Sequence, residues 1–215
     1  MRRHPFIVGA IAAGLTVAGC SSSIPQSPQT SFEPTPAIAA TQLADLFLNG
    51  DEVRSATGVD ANGDPIVEGM PQKRGGDRTY PCAPMVAGPR DAAVIGGGYL
   101  AYRTVESSNA IKPRITQTIA LYPQDAIAID VFKRITTKLN ECRATPDTGG
   151  IIGPMEASAT QVQWSYSMAG GSGVCGIDIR RVDNVILGTE VCGTGQDAVG
   201  ASNVADRIVS KIRAS

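Results

Sequence analysis

Four cysteines, Cys82, Cys142, Cys175 and Cys192, follow an apolar leader that itself ends on a fifth, Cys20. An even set of thiols behind such a leader reads as two disulfides, and these limit the fold more than any other feature of the chain. Four cysteines allow three pairings. Val182-Asp183-Asn184-Val185 has the form of a two-residue hairpin turn, with Asp and Asn both able to take positive φ. A hairpin centred there sets Cys175 directly opposite Cys192 in a non-hydrogen-bonded pair, where side chains approach closest. Cys82 is then left for Cys142. The same register sets Ile177 against Glu190, a mismatch that a bulge would relieve. No Cys-x-x-Cys knuckle occurs, so the spacings argue against a metal site.

The leader has the layout of an export signal. Arg2 and Arg3 open it, and Phe6 to Ala18 form an uncharged, mostly apolar run. That run falls short of the roughly 20 residues a membrane-crossing helix needs, so residues 1–19 read as a cleaved signal. Its end, Val17-Ala18-Gly19-Cys20, resembles the lipobox of bacterial lipoproteins, in which the thiol accepts a diacylglycerol. Two or more acyl chains on Cys20 would hold the protein stably to the outer face of the cell membrane without spanning it. Residues 20–36 follow as a tether. Ser21 to Pro36 carries Pro25, Pro28, Pro34 and Pro36 and a single charge, Glu33, too little apolar surface to offset ordering entropy. As a coil it reaches about 20–25 Å.

Residues 37–215 suit one domain. Hydrophobic residues make up 42% of the chain, enough for a core. Without Arg2 and Arg3 the 19 basic residues become 17 against 20 acidic, a formal charge near −3. With no strongly basic stretch, nucleic acid is not an expected partner. Periodicity predicts helices over Ala39 to Asn49 and from an Asp51 cap to Thr57. It predicts strands over Tyr99 to Glu106 and Arg114 to Tyr122, and a helix from Pro123 to Cys142. Gly58 to Arg78 reads as a loop or an irregular strand, and Thr145 to Pro154 as a loop. Gln161 to Met168 alternates cleanly, with Val162, Trp164, Tyr166 and Met168 on one side. The hairpin adds two strands, and a helix begins near Asp197. The expected class is α+β, an antiparallel sheet of about five strands with helices packed on one face.

From about Ala39 onward the chain resembles the extracellular sensor domain of mycobacterial PknH-type serine/threonine kinases, a domain that also occurs in stand-alone mycobacterial lipoproteins. The resemblance rests on the Leu-rich opening helix with Asp51-Glu52-Val53, and on Cys82 ahead of Gly97-Gly98-Tyr99. It continues through the long helix ending at Cys142, the Trp164 strand, and the Cys175 and Cys192 hairpin with its terminal helix. It implies the same disulfide pairing, and helices around a central cleft for an unidentified ligand. No kinase domain or transmembrane helix accompanies the domain here, so binding stands apart from direct signalling.

The chemistry available is narrow. The one histidine, His4, lies in the leader, so the mature chain has no imidazole for a Ser-His pair or a metal. Asp125, Asp130, Asp178 and Glu190 are the acids that could pair for hydrolysis. The Gly96-Gly97-Gly98 run leads into a strand rather than a helix and is no phosphate loop. The expectation is therefore a domain without catalytic residues, cofactor or metal. Trp164 and Tyr166 share a strand face that Tyr102 can join, which suits a groove for a small molecule, glycan or lipid headgroup; the same face also reads as core beneath the long helices. Arg103 and Arg180 could add charge toward an anionic ligand. A module that docks on an envelope protein is the competing expectation.

Overall fold

A computed structural model describes residues 38–60, 65–73, 82–108, 113–144, 151–167 and 173–215. The leader, Cys20, the tether to Pro36 and Met168 lie outside the described residues. The chain divides between Glu33 and Pro34, and everything described falls in the second part.

Seven strands form one sheet in the order β1-β2-β3-β7-β6-β5-β4: β1 (Ile66–Glu68), β2 (Ala101–Ser108), β3 (Arg114–Leu121), β4 (Ile151–Ala157), β5 (Gln161–Ser167), β6 (Val174–Val182) and β7 (Val185–Cys192). Every strand pairing is antiparallel. The class is α+β as expected, but with seven strands rather than about five. The two additions are the edge strands. β1 is three residues long. β4 takes up part of the expected loop, and its register shifts between Ile152 and Glu156, around Gly153-Pro154. Proline is tolerated there because an edge strand leaves one side of its ladder unpaired.

The helices are α1 (Leu43–Leu46), α2 (Gly50–Thr57), α3 (Ala83–Ala87), α4 (Ala92–Ile95), α5 (Asp125–Ala144) and α6 (Asp197–Ala214). They pack on both faces of the sheet, not one. Against α1, α2 and α6 lie Ile115, Ile119, Leu121, Val185, Leu187 and Val191. Against α5 and residues 82–95 lie Val162, Trp164, Ile177 and Ile179. β7 is buried at every position and β3 at all but its first, as central strands covered on both sides must be.

The opening helix is shorter than its periodicity suggests. A 3-10 turn, Ala40–Gln42, leads into α1, and the backbone is extended at Phe47. Asn49, not Asp51, caps α2. Its side chain accepts from the Asp51 and Glu52 amides at 3.0 Å each, while Glu52 Oε2 accepts from the Asn49 amide at 2.9 Å. This is a reciprocal capping box. Buried Gln117 then ties the segment to β3, accepting from the Leu48 amide at 2.8 Å and donating to the Leu48 carbonyl at 3.0 Å.

The hairpin register is the expected one. Cys175 faces Cys192 with Cα atoms 4.2 Å apart, and a disulfide joins them. A second disulfide joins Cys82 to Cys142. At the turn only Asp183 takes positive φ, 49°. Asn184 serves another purpose, donating from Nδ2 to the Tyr122 carbonyl at 2.7 Å and so fixing the end of β3.

Candidate functional site

The register builds two rows across the face that meets α5. One runs Glu106, Thr116, Glu190, Ile177, Trp164; the next runs Thr104, Thr118, Gly188, Ile179, Val162. Each row is polar on β2 and β3 and apolar on β6 and β5. β7, between them, carries Glu190 in one row and Gly188 in the other. The apolar half packs with Val131, Ile135 and Leu139 of α5. The polar half is crossed by the strap from Cys82 to Ile95. Pro89 lies so close over Gly188 that a methyl group there would overlap its ring. Arg90 next to it is buried and pairs with Glu106, with Glu68 3.8 Å away. The strap is held at one end by the Cys82–Cys142 disulfide and at the other by Tyr122, whose hydroxyl donates to the Ile95 carbonyl at 2.8 Å.

At the strand ends sits a second ion pair. Arg114 Nη2 donates to Glu190 Oε1, which also accepts from the Tyr166 hydroxyl at 2.6 Å. Nη2 lies 3.2 Å from that hydroxyl and 3.4 Å from Cys192 Sγ. Glu190 is 2% exposed, whereas the Arg114 side chain is 33% exposed. Burial pulls the Arg114 guanidinium down, but Glu190 and Tyr166 outweigh it and hold it above its usual value. Burial, then the Glu190 charge, pushes the Tyr166 hydroxyl well above its usual range. Tyr166 is therefore a neutral donor at any physiological pH.

Thr116 lies between Glu106 and Glu190 in the register, and its hydroxyl is buried with no partner among the described residues. Arg114 Nε and Trp164 Nε1 are in the same position. Each such group costs about 1–3 kcal/mol when left unpaired. Thr104 and Thr118 pair their hydroxyls with each other.

Cys175, Cys192 and Glu190 bring three donor atoms within 4.8 Å of one another. The two sulfurs are bonded to each other, so they offer no thiolate to a metal ion. The arrangement is a disulfide against a carboxylate.

The five residues expected to line one groove fall on two faces, because side chains alternate along a strand. Tyr102, Trp164 and Tyr166 share the strap and α5 face but are no more than 5% exposed, part of the core rather than an open aromatic platform. Arg103 lies on the other face, half-buried. Arg180 also lies there and clamps α6, donating to Asp178 Oδ2 at 3.0 Å and Ser202 Oγ at 3.1 Å and pairing with Asp206. The four acids do not gather either. Asp125 and Asp130 are exposed on α5, and Asp178 points away from Glu190 across the sheet. Arg90, Arg114 and Thr116 carry no signal in the sequence. Glu190 did carry one: the mismatch with Ile177 stands without a bulge, and it marks the buried carboxylate.

A separate open groove of about 700 Å³ lies where α6 begins, lined by Ser165, Val174, Gly193, Gln196, Asp197 and Val199. Asp197 already serves the helix start there, accepting from the Thr194 amide and hydroxyl at 2.7 and 2.9 Å. No described helix is long and apolar enough to cross a membrane.

The described residues thus form a disulfide-bonded α+β domain with charged groups set into one face of its sheet. Residues 38–211 match the family model of the PknH-like extracellular domain, and the chain belongs to that family. It is similar to the crystal structure of the extracellular domain of PknH from Mycobacterium tuberculosis, with a TM-score of 0.65 and 19% identity over 84% of this chain and 99% of that one. At that identity the likeness speaks for the fold. No curated protein matches the chain.

Proposed function

We propose that the chain is a non-enzymatic sensor or carrier domain, lipid-anchored through Cys20 at the extracytoplasmic face, whose polar half-face binds a small molecule, glycan or lipid of the envelope. One observation carries the reading. One buried ion pair, a second whose carboxylate is buried, and several buried hydroxyls lie on a sheet face where apolar side chains of the same volume would be as stable or more so. Buried polar groups left without partners are the kind of feature a ligand completes. The central cleft expected from the resemblance would correspond to this half-face, opened by movement of the strap.

The test is native mass spectrometry of the chain after exposure to envelope extract. A retained small molecule, lost in Thr116→Val, is the expected result. Repeated extracts that leave the chain bare would count against the reading.

A second reading, docking on an envelope protein, has its own observation. Ile66 and Val67 of edge strand β1, and Met70 just beyond it, are exposed. An apolar edge strand is a template for strand addition. Under that reading Val67→Lys abolishes partner binding and leaves small-molecule retention intact, whereas unchanged partner binding in that variant would rule the edge out.

A further inference from the structure

Each charge on the polar half-face stands against an opposite charge, and this limits what it can hold. Arg114 pairs with Glu190, and Arg90 pairs with Glu106 while facing Glu68. Three carboxylates against two guanidiniums leave a formal excess of one negative charge, but each carboxylate has a guanidinium within 4 Å. An anion reaching Arg114 meets Glu190 on the same guanidinium, and Glu106 stands two strands from Glu190 with Thr116 between them. A cation reaching Glu190 meets Arg114. Desolvating either ion at this position would not be repaid by an unopposed partner charge.

The buried atoms without a partner among the described residues include the Thr116 hydroxyl and the Nε–H groups of Arg90 and Arg114. The Thr116 hydroxyl can donate and accept, and the Arg114 Nε–H can donate. The Tyr166 hydroxyl and the Thr104–Thr118 hydroxyl pair border them. Donors and acceptors thus alternate across neighbouring strands, with strong acceptors in carboxylates and strong donors in guanidiniums. Adjacent hydroxyls on a ring match such an array, because each hydroxyl gives one hydrogen bond and takes others. Resting on the ligand-binding reading above, we infer that the site takes a neutral polyhydroxylated ligand, a sugar or cyclic polyol, with adjacent hydroxyls bracketed by Arg114 and Glu190 and a third contact to Thr116. Arg114 is the member most open to solvent, so a ligand meets it first.

The test uses Trp164, the only tryptophan, which lies in the same sheet row as Glu190. The full chain is titrated by tryptophan fluorescence and calorimetry with myo-inositol and neutral methyl hexosides. Inositol 1-phosphate, the matched uronic acids and the matched amino sugars form the charged arm. The same neutral sugars displayed on phosphatidylcholine vesicles form a third arm, which separates a free sugar from a glycolipid headgroup. At least one neutral compound binds, its charged counterparts bind at least about tenfold more weakly, and Thr116→Val and Arg114→Lys each weaken the neutral compound about fivefold or more. A charged compound that binds better than its neutral counterpart overturns the inference, as does neutral binding untouched by both variants, or no binding in any arm. In each of those cases a compound retained from envelope extract and lost in Thr116→Val still upholds the ligand site itself, so the two failures are distinguishable.

Discussion

Glu190 is held by two donors, Tyr166 and Arg114, and only the arginine reaches solvent. Removing one partner from such a pair strands the other in a low-dielectric site, while replacing both by apolar groups does not. Arg114→Met alone should therefore cost about 3 kcal/mol in urea denaturation. The double variant Arg114→Met with Glu190→Leu should cost much less; equal losses would mean that the pair is not coupled. Thr116→Val tests the opposite sign. It removes an unpaired buried hydroxyl without changing volume, so the protein should become more stable by up to about 1 kcal/mol, even as ligand binding falls. None of these partners could be matched from sequence alone. Arg114 and Glu190 are 76 residues apart and meet only because β3 pairs with β7, a long-range pairing that no local pattern encodes. The one legible trace was an acid at an inward hairpin position.

The elements that could be read were those whose local pattern agreed with their environment. β5 alternates because one side is core, and α5 and α6 carry apolar lines at helical spacing. The β6–β7 hairpin was set by its turn and its cysteines. The edge strands were the least legible, for opposite reasons: β1 is so short that its segment reads as loop or irregular strand, and β4 carries Gly153-Pro154, which reads as a loop. The strap was hidden because α3 and α4 are one turn each, broken by Gly88-Pro89. The second helical layer follows from burial of β3 and β7 on both sides, which erases the alternation that marks a one-sided sheet. Close approach of elements gives a prediction at this scale. Gly176 lies against the backbone of Ala198 at the start of α6, and Gly188 against the Pro89 ring. Gly176→Ala should be the more damaging, since backbone yields less than a ring; a milder effect than Gly188→Ala in thermal unfolding would contradict this packing.

Over the whole molecule, two disulfides and a two-sided core hold a sheet whose middle is charged. By the chain-entropy model the Cys175–Cys192 and Cys82–Cys142 bridges contribute about 3 and about 4 kcal/mol. The second also fixes the strap to α5. Tyr102, Tyr122 and Tyr166 all have hydroxyls pushed above their usual value, by burial first in each case. A raised folded value leaves stability unaffected below about pH 10, where unfolded tyrosine begins to ionise, and lowers it as pH rises further. Tyrosinate absorbance at these three residues should therefore appear together with unfolding above pH 10, not before it; smooth titration of all five tyrosines in the folded protein would refute their burial. Under the proposed function the covered polar half-face is a ligand site rather than a structural relic. Hydrogen–deuterium exchange on the full chain, with and without envelope extract, addresses that claim most directly. Protection should rise in β3, β7 and residues 82–95 and stay unchanged at β1. Protection confined to β1, or a pattern identical in both conditions, would contradict it.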